Sequence, residues 1–341
     1  MSARTIVRKT DQLNPSREDI RLAASIIRSG GTVVFPTETV YGIGANAYDE
    51  KACSQIFRIK KRPPDNPLIV HVKDVEMASS LARMDSRTVE ALKRSWPSPL
   101  TVVVNSLGNL PNVVTAGLDT VALRSPANPL ALALISESGV PIAAPSANIA
   151  TRPSIVLSSE AKEELMGRVD FIFDSGQTFF GIESTIIDVR GDVPVILRPG
   201  AIGPVEIRHI FGSVRFNHEP PVHEEQIPLA PGMKYRHYAP RKPLYLFEDP
   251  YAMITYCRNR RKDDFISLVS AEMAPMVPGE KIILGSEKNL YEIGRNLFHS
   301  LRVADRTEKE IILAHAVEER GIGLAIMNRL RKAAEGGTPP D

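Results

Sequence analysis

The residues best suited to chemistry in this chain lie between Lys60 and His71. Lys60, Lys61 and Arg62 close a predicted helix and run into a turn stiffened by Pro63, Pro64 and Pro67, with Asp65 and Asn66 between the prolines. A rigid turn holding cations suits a phosphate or a carboxylate, because arginine offers a planar fork of donors and lysine a point charge. Taken alone, such a run more often just complements the helix dipole and faces water. His71 stands on the next predicted strand, beside the cationic turn, which favours a polar role over that of a satisfied core histidine.

Other segments repeat the pattern. The stretch FPTETVYG carries Thr39; GLDTVALR brings Thr120 and Arg124 four apart on a strand, and hence to one side of it. The stretch PIAAPSAN ends a strand in small residues, so a ligand can approach the backbone at Ala144 while Ser146 and Asn148 offer hydrogen bonds, and Arg152 and Ser154 follow. Ser184 in GIEST and Arg198 in LRPG again put a hydroxyl and an arginine at strand margins. Each cluster is weak by itself. Together they point to one anionic ligand in a concave site.

Several chemistries lack their motifs. No Gly-Lys dipeptide occurs, so no Walker-type phosphate loop exists, and Gly42-Ile-Gly44 and Gly321-Ile-Gly323 lack the third glycine of a dinucleotide fingerprint. His218, Glu219 and His223 are spaced wrongly for a zinc-protease helix and are interrupted by prolines. No serine sits in a nucleophile elbow. An enzyme with this inventory works by positioning and charge.

The elements that must hold these residues follow from periodicity. Ser16 to Ser29 reads as a helix that Ser16 caps and Gly30-Gly31 stop, burying Ile20, Ala23, Ala24 and Ile27. Strands are expected at 32–35, 68–72, 100–104, 120–123, 141–144, 171–173, 185–189 and 193–197, with Gly42 and Gly44 opening a loop after the first. Helices are expected at about 50–60 (burying Ala52, Ile56 and Ile59), 74–82, 86–95, 130–137 and 205–211. Beyond residue 243, strands at 244–247, 265–269, 281–284 and 311–314 alternate with helices at 250–260, 287–304 and 323–334. The predicted fold class is α/β: a twisted mixed-sheet domain over 1–211, a Pro-rich linker over 212–243, and a smaller Rossmann-like α/β domain over 244–335. The second half of the linker, APGMKYRHYAP, carries aromatics and cations and reads as a lid.

At 341 residues the chain has room for two cores, and its 43% hydrophobic and 24% charged residues are ordinary for a globular protein. A formal net charge of +2 makes any basic patch local. Cys53 and Cys257 form no ligand or redox motif, no run is long enough to span a membrane, and the first residues lack a signal-peptide apolar region. A cytoplasmic, disulfide-free protein without a membrane partner is expected.

The motifs FPTETVYGIGANA, KKRPPDNPLIVH, WPSPLTVVV, TAGLDTVALRSPA, PIAAPSAN, FFGIESTIIDV, ILRPG and APGMKYRHYAP, in this order, closely resemble those of the threonylcarbamoyl-adenylate synthases, the family with the YrdC-type fold. The segment from Leu244, including GIGLAIMNRLRKA, resembles the extra domain of its longer, two-domain members. The resemblance implies an enzyme that joins L-threonine, bicarbonate and ATP into threonylcarbamoyl-adenylate with release of pyrophosphate. A transferase partner then uses that product to modify the adenosine beside the anticodon of tRNA, and a direct tRNA contact is left open. It implies threonine near Thr39, His71, Arg124, Ala144 and Ser184, and ATP near Arg62, Asn66, Thr120, Ser146, Ser154, Arg198 and Arg236. The pairs Lys60 with Arg62 and Ser146 with Asn148 would form the reacting centre, with Mg2+ held on the ATP phosphates rather than by the protein.

The chain departs from the family pattern in three places. Ser98 stands where WPGPLT has glycine, Ala150-Thr151-Arg152 replaces the common Ser-Gly after SAN, and Ile155 follows Ser154 where proline or threonine is frequent. The rival expectation from another class is an RNA-binding module for double-stranded RNA or tRNA without adenylation activity. It accounts for the cations but not for the hydroxyl and small-residue clusters, which lack interleaved aromatics.

Overall fold

The computed structural model describes residues 5–216, 228–229, 238–261 and 264–334. Most of the linker, including Arg236 and the residues 231–237 expected in a lid, lies outside the described residues.

In chain order the first part runs β1 (Ile6–Lys9), α1 (Arg17–Arg28), β2 (Val33–Pro36), β3 (Tyr41–Asn46), α2 (Glu50–Lys60), β4 (Ile69–His71), α3 (Val75–Ser79), β5 (Ala82–Arg83) and α4 (Ser86–Ser95). It continues through β6 (Leu100–Ser106), α5 (Asn112–Thr115), β7 (Thr120–Arg124), α6 (Pro129–Ser138), β8 (Ile142–Ala143), α7 (Ser158–Leu165), β9 (Phe171–Asp174), β10 (Thr185–Asp188), β11 (Val195–Arg198), α8 (Pro204–Phe211) and β12 (Arg215–Phe216). Then come β13 (Leu244–Phe247), α9 (Pro250–Asn259), β14 (Phe265–Ser270), β15 (Glu280–Gly285), α10 (Leu290–Asp305), β16 (Ile311–His315) and α11 (Gly323–Ala334).

The first twelve strands form one mixed sheet, ordered β1-β9-β2-β3-β8-β4-β7-β6-β10-β11-β12 with β5 on β6. The last four form a separate sheet, β13-β16-β14-β15, in which every pairing is parallel. The α/β class holds for both. α1 starts as its sequence dictates: the Ser16 hydroxyl accepts from the Asp19 amide, and Ile20, Ala23, Ala24 and Ile27 are buried. α2 buries Ala52, Ile56, Phe57 and Lys60, whereas Ile59 is only half-buried. Lys60 takes the inward position because its ammonium has acceptors there.

One expectation fails in an informative way. The segment with Gly42 and Gly44 is not a loop but β3, paired antiparallel to β2 with Phe35 opposite Gly42. Its glycines serve close packing, not a turn: a Cβ at Gly44 would stand 2.6 Å from Ile142 and 2.7 Å from the Phe35 ring. Helix α7 was not anticipated because SSEAKEEL has little apolar period. Its Glu160 and Glu164 pack instead against the C-terminal part, Glu160 2.9 Å from His299 and Glu164 2.7 Å from Arg302.

The two parts share a core. Val40, Val156 and Ile182 of the first pack in one buried cluster with Leu290, Ile293, Leu297, Phe298 and Ile326 of the second. β12 lies parallel to β11, so the first sheet runs a few residues past 211.

Candidate active site

Several strand margins meet in one cavity enclosing about 1070 Å³ of non-protein space up to its mouth. Twelve of the residues singled out in sequence line it: Thr39, Lys60, Arg62, Asn66, His71, Arg124, Ala144, Ser146, Asn148, Ser154, Ser184 and Arg198. Thr120 does not. It sits at the start of β7, about 13 Å along the strand from Arg124 at 3.3 Å per residue, opposite Asn105. Sharing a face is not enough when the cavity opens at one end of the sheet. Arg236 lies outside the described residues.

The charge of the lining is one-sided. Lys60, Lys61, Arg62, Arg124, Arg152 and Arg198 face a single carboxylate, Glu183. Lys60, Arg124 and Arg198 are buried, and burying cations is costly unless carboxylates, carbonyls or a bound anion join them.

Lys60 projects from the last turn of α2 and donates through Nζ to the Ser146 carbonyl at 2.5 Å and to the Asn148 carbonyl. The Lys60 carbonyl in turn accepts from the Ala150 amide at 2.8 Å. Side chain and backbone thus both anchor the segment that carries Ser146 and Asn148. Burial pushes the Lys60 ammonium well below the usual lysine range, and the nearby Arg62 and Arg302 push the same way against Glu164. The helix then ends with Lys61 at φ 53, a left-handed cap that turns the chain toward the proline segment. Arg62 folds over that turn, its Nη2 donating to the carbonyls of Asn66 at 3.1 Å and Pro67 at 2.9 Å. The side-chain amide oxygen Oδ1 of the buried Asn66 has no hydrogen-bond partner among the described residues.

Strand registry brings the next group together. His71 on β4 lies opposite Arg124 on β7 and opposite Ile142 on β8. Arg124 donates to the Thr39 hydroxyl at 3.0 Å and stands 2.7 Å from Glu38. Thr39 is itself fixed by Thr37, whose hydroxyl lies 2.8 Å away. His71 is held neutral: burial first, then the Arg124 charge, lower its pKa from 6.5 to about 3. Its Nδ1 has no hydrogen-bond partner among the described residues.

That depression has a measurable consequence. Above pH 6.5 native and unfolded states both hold His71 neutral, and its contribution to stability is fully present; as pH falls from 6.5 toward about 3 only the unfolded chain takes up the proton. Stability is therefore lost through that window, by up to about 1.4 kcal/mol per pH unit. Replacing His71 with glutamine is expected to flatten the fall of Tm between about pH 6 and pH 4 on that account. Parallel slopes for the two proteins would exclude His71 as the group.

The far wall comes from β10, β11 and the loop after Asn148. The Ser184 hydroxyl pairs with Thr101 at 2.8 Å, and Arg198 donates to the Ser184 carbonyl at 2.9 Å. Gly200 is required here, since a Cβ would stand 2.2 Å from the Thr185 amide. Asn148 donates to the carbonyls of Ile149 and Arg152, both at 2.9 Å, curling the loop that presents Ser154. Within this loop Thr151 holds φ 73, unusual for a β-branched residue. Its carbonyl accepts from the Ala239 amide at 2.9 Å, which fastens the end of the linker to the cavity rim.

Glu183 was not singled out in sequence, although it lies inside GIEST beside Ser184. Its two oxygens accept from Ser154 at 2.5 Å and from Arg329 at 2.9 Å. Burial raises its pKa, but Arg329, Arg198 and the Ser154 hydroxyl outweigh that and hold the carboxyl below its usual range. Arg329 is more than a hundred residues away, so only tertiary structure reveals the pair. Tyr238 also lines the cavity and stacks on Phe298 of α10 at 5.3 Å between ring centroids.

Two family models match the chain. One, of the Sua5–YciO–YrdC group and described as "Telomere recombination", covers residues 25–200, and one for the C-terminal domain of threonylcarbamoyl-AMP synthase covers residues 202–335. The threonylcarbamoyl-AMP synthase of Pyrococcus abyssi is 44% identical over 330 residues, spanning 92% of this chain and 94% of that protein. Its Bacillus subtilis counterpart is 40% identical over 341 residues, spanning 98% of each. The crystal structure of P. abyssi Sua5 complexed with L-threonine superposes with a TM-score of 0.87 at 42% identity, covering 97% of this chain and 98% of that one.

Proposed function

The chain belongs to the Sua5-type threonylcarbamoyl-AMP synthases in their two-domain form, and we propose that the cavity described above is where it carries out the family's adenylyl transfer. The substrates are L-threonine, bicarbonate and ATP. The threonine amine attacks bicarbonate-derived carbon dioxide to give a carbamate and release a proton. A carbamate oxygen then attacks the α-phosphorus of ATP and pyrophosphate leaves, giving threonylcarbamoyl-AMP. The carbamate is the nucleophile, so no covalent protein residue is required.

One observation carries this reading: cations and hydroxyls from six separated segments converge on a single concave, cation-lined space. All of the following line that space. Thr39, His71, Arg124, Ala144 and Ser184 are assigned to threonine, where a neutral His71 and the Arg124 guanidinium suit its amine and carboxylate. Arg62, Asn66, Ser146, Ser154 and Arg198 are assigned to the nucleotide, and Lys60 and Arg62, with Ser146 and Asn148, to the charge that develops on carbamate and phosphoryl oxygens. No group of three or more His, Cys, Asp or Glu side chains that could hold a metal occurs among the described residues, and the one lining carboxylate is engaged by Arg329 and Ser154. In this reading Mg2+ enters with the ATP substrate, bound through its phosphates.

The same reading divides the chain into a catalytic unit over 1–211, a connecting segment over 212–243 and a C-terminal unit over 244–335. The product is a labile mixed anhydride, which calls for a transferase that passes its threonylcarbamoyl group to tRNA adenosine. No helix among the described residues is long and apolar enough to cross a membrane.

The test is pyrophosphate release from ATP in the presence and absence of threonine and bicarbonate. Release that needs both is expected. ATP turnover indifferent to threonine would remove this reading.

A further inference from the structure

Arg329 belongs to α11, yet it is fully buried against the wall of the cavity formed by the first part of the chain. Its Nε donates to Glu183 at 2.9 Å, its Nη1 donates to the Pro199 carbonyl at 2.7 Å and to the Asn328 side chain at 3.0 Å, and its guanidinium lies 5.3 Å from the centre of the Tyr238 ring. Among the described residues Glu183 is the only acidic one in the lining, and its other oxygen holds the Ser154 hydroxyl at 2.5 Å. Pro199 follows Arg198, so the two contacts of Arg329 flank both residues assigned to the nucleotide on this wall.

A buried carboxylate facing a triphosphate would repel it across a medium of low polarity, where like charges interact far more strongly than in water. We propose that Arg329 is a positioning residue for ATP, supplied by the C-terminal part. It neutralises Glu183, so that this wall presents Ser154 and Arg198 to the phosphates without a competing negative charge. A single buried fork, matched to a carboxylate on one arm and a backbone carbonyl on another, sets both the charge and the orientation of the wall. The C-terminal part thereby contributes to nucleotide affinity without touching the nucleotide. The inference rests on the assignment of this wall to ATP.

Its test is a double-substitution cycle in the full-length protein, read as separate KM values for ATP and threonine. Arg329→Met keeps much of the side-chain volume and removes the charge. It is expected to raise the KM for ATP at least about tenfold, with kcat and the KM for threonine within about threefold. Adding Glu183→Gln removes the unpaired carboxylate and is expected to return the KM for ATP to within about threefold of that of Glu183→Gln alone. A packing role would not be rescued by that second change. Equal loss for both substrates, or no rescue by Glu183→Gln, overturns the inference. If Arg329→Met cannot be purified folded, Arg329→Lys decides. It keeps the charge and is expected to hold the KM for ATP within about threefold, and a tenfold rise would overturn the inference as well. Failure of the unsubstituted protein to release pyrophosphate in response to threonine would instead defeat the underlying assignment.

Discussion

Replacing Lys60 or Arg62 with alanine is expected to slow threonine- and bicarbonate-dependent pyrophosphate release by roughly 10²–10³-fold, the scale for losing one donor aimed at developing charge. The two losses differ in kind. Lys60 is buried, and its ammonium holds the carbonyls of Ser146 and Asn148. Alanine there leaves those acceptors without their donor, which adds a stability loss of about 1–3 kcal/mol. Arg62 grips its own turn through the carbonyls of Asn66 and Pro67, so alanine also loosens the segment that presents Asn66. Lysine at position 62 keeps the charge but not the fork, and an intermediate rate is expected. Near-normal turnover in both alanine variants would place the reacting centre elsewhere.

Truncation after residue 211 is expected to yield an insoluble or poorly folded first part. Each part has its own sheet and its own periodicity, as a part able to fold alone would. The structure argues otherwise. Val40, Val156 and Ile182 are buried in a cluster built mostly from the C-terminal part, and exposing such aliphatic side chains costs about 1.5–3 kcal/mol each. Glu164 and Glu183 would also lose their arginine partners, Arg302 and Arg329. Arg302 also donates to the Pro153 carbonyl at 2.6 Å, so its loss frees the loop that carries Ser154. These terms are comparable to the whole stability of a domain, about 5–15 kcal/mol. A soluble 1–211 fragment that unfolds cooperatively within about 10 °C of the intact chain would show that the shared core is dispensable.

Much of the site was legible because its parts are local. A cationic helix end followed by prolines, and small residues with hydroxyls at strand ends, depend on neighbours within a few positions, and those signals located twelve lining residues. The strands and helices beyond residue 243 were legible for the same reason, since a parallel sheet with covering helices has simple periodicity. Where local signals misled, packing across the fold had won. Gly42 and Gly44 read as a loop, but they thin a strand so that Phe35 and Ile142 can close over it. Helix α7 hid because its inward face is acidic and meets cations from α10. Thr120 shared a predicted face with Arg124, yet the cavity opens only at the far end of that strand.

The stretch from Lys60 to His71 shows the division most plainly. Residue types and spacing alone determined that it sets cations and an amide on a stiff turn suited to an anion, because donors, charges and prolines act over a few ångströms of chain. Tertiary structure alone decided that Lys60 faces inward to hold the segment with Ser146 and Asn148, and that His71 stays neutral beside Arg124. It also decided that Glu183, unremarked in sequence, is answered by an arginine from the other part of the chain. Burial and long-range charge pairing are set by what the fold places within a few ångströms, and sequence distance carries no record of that.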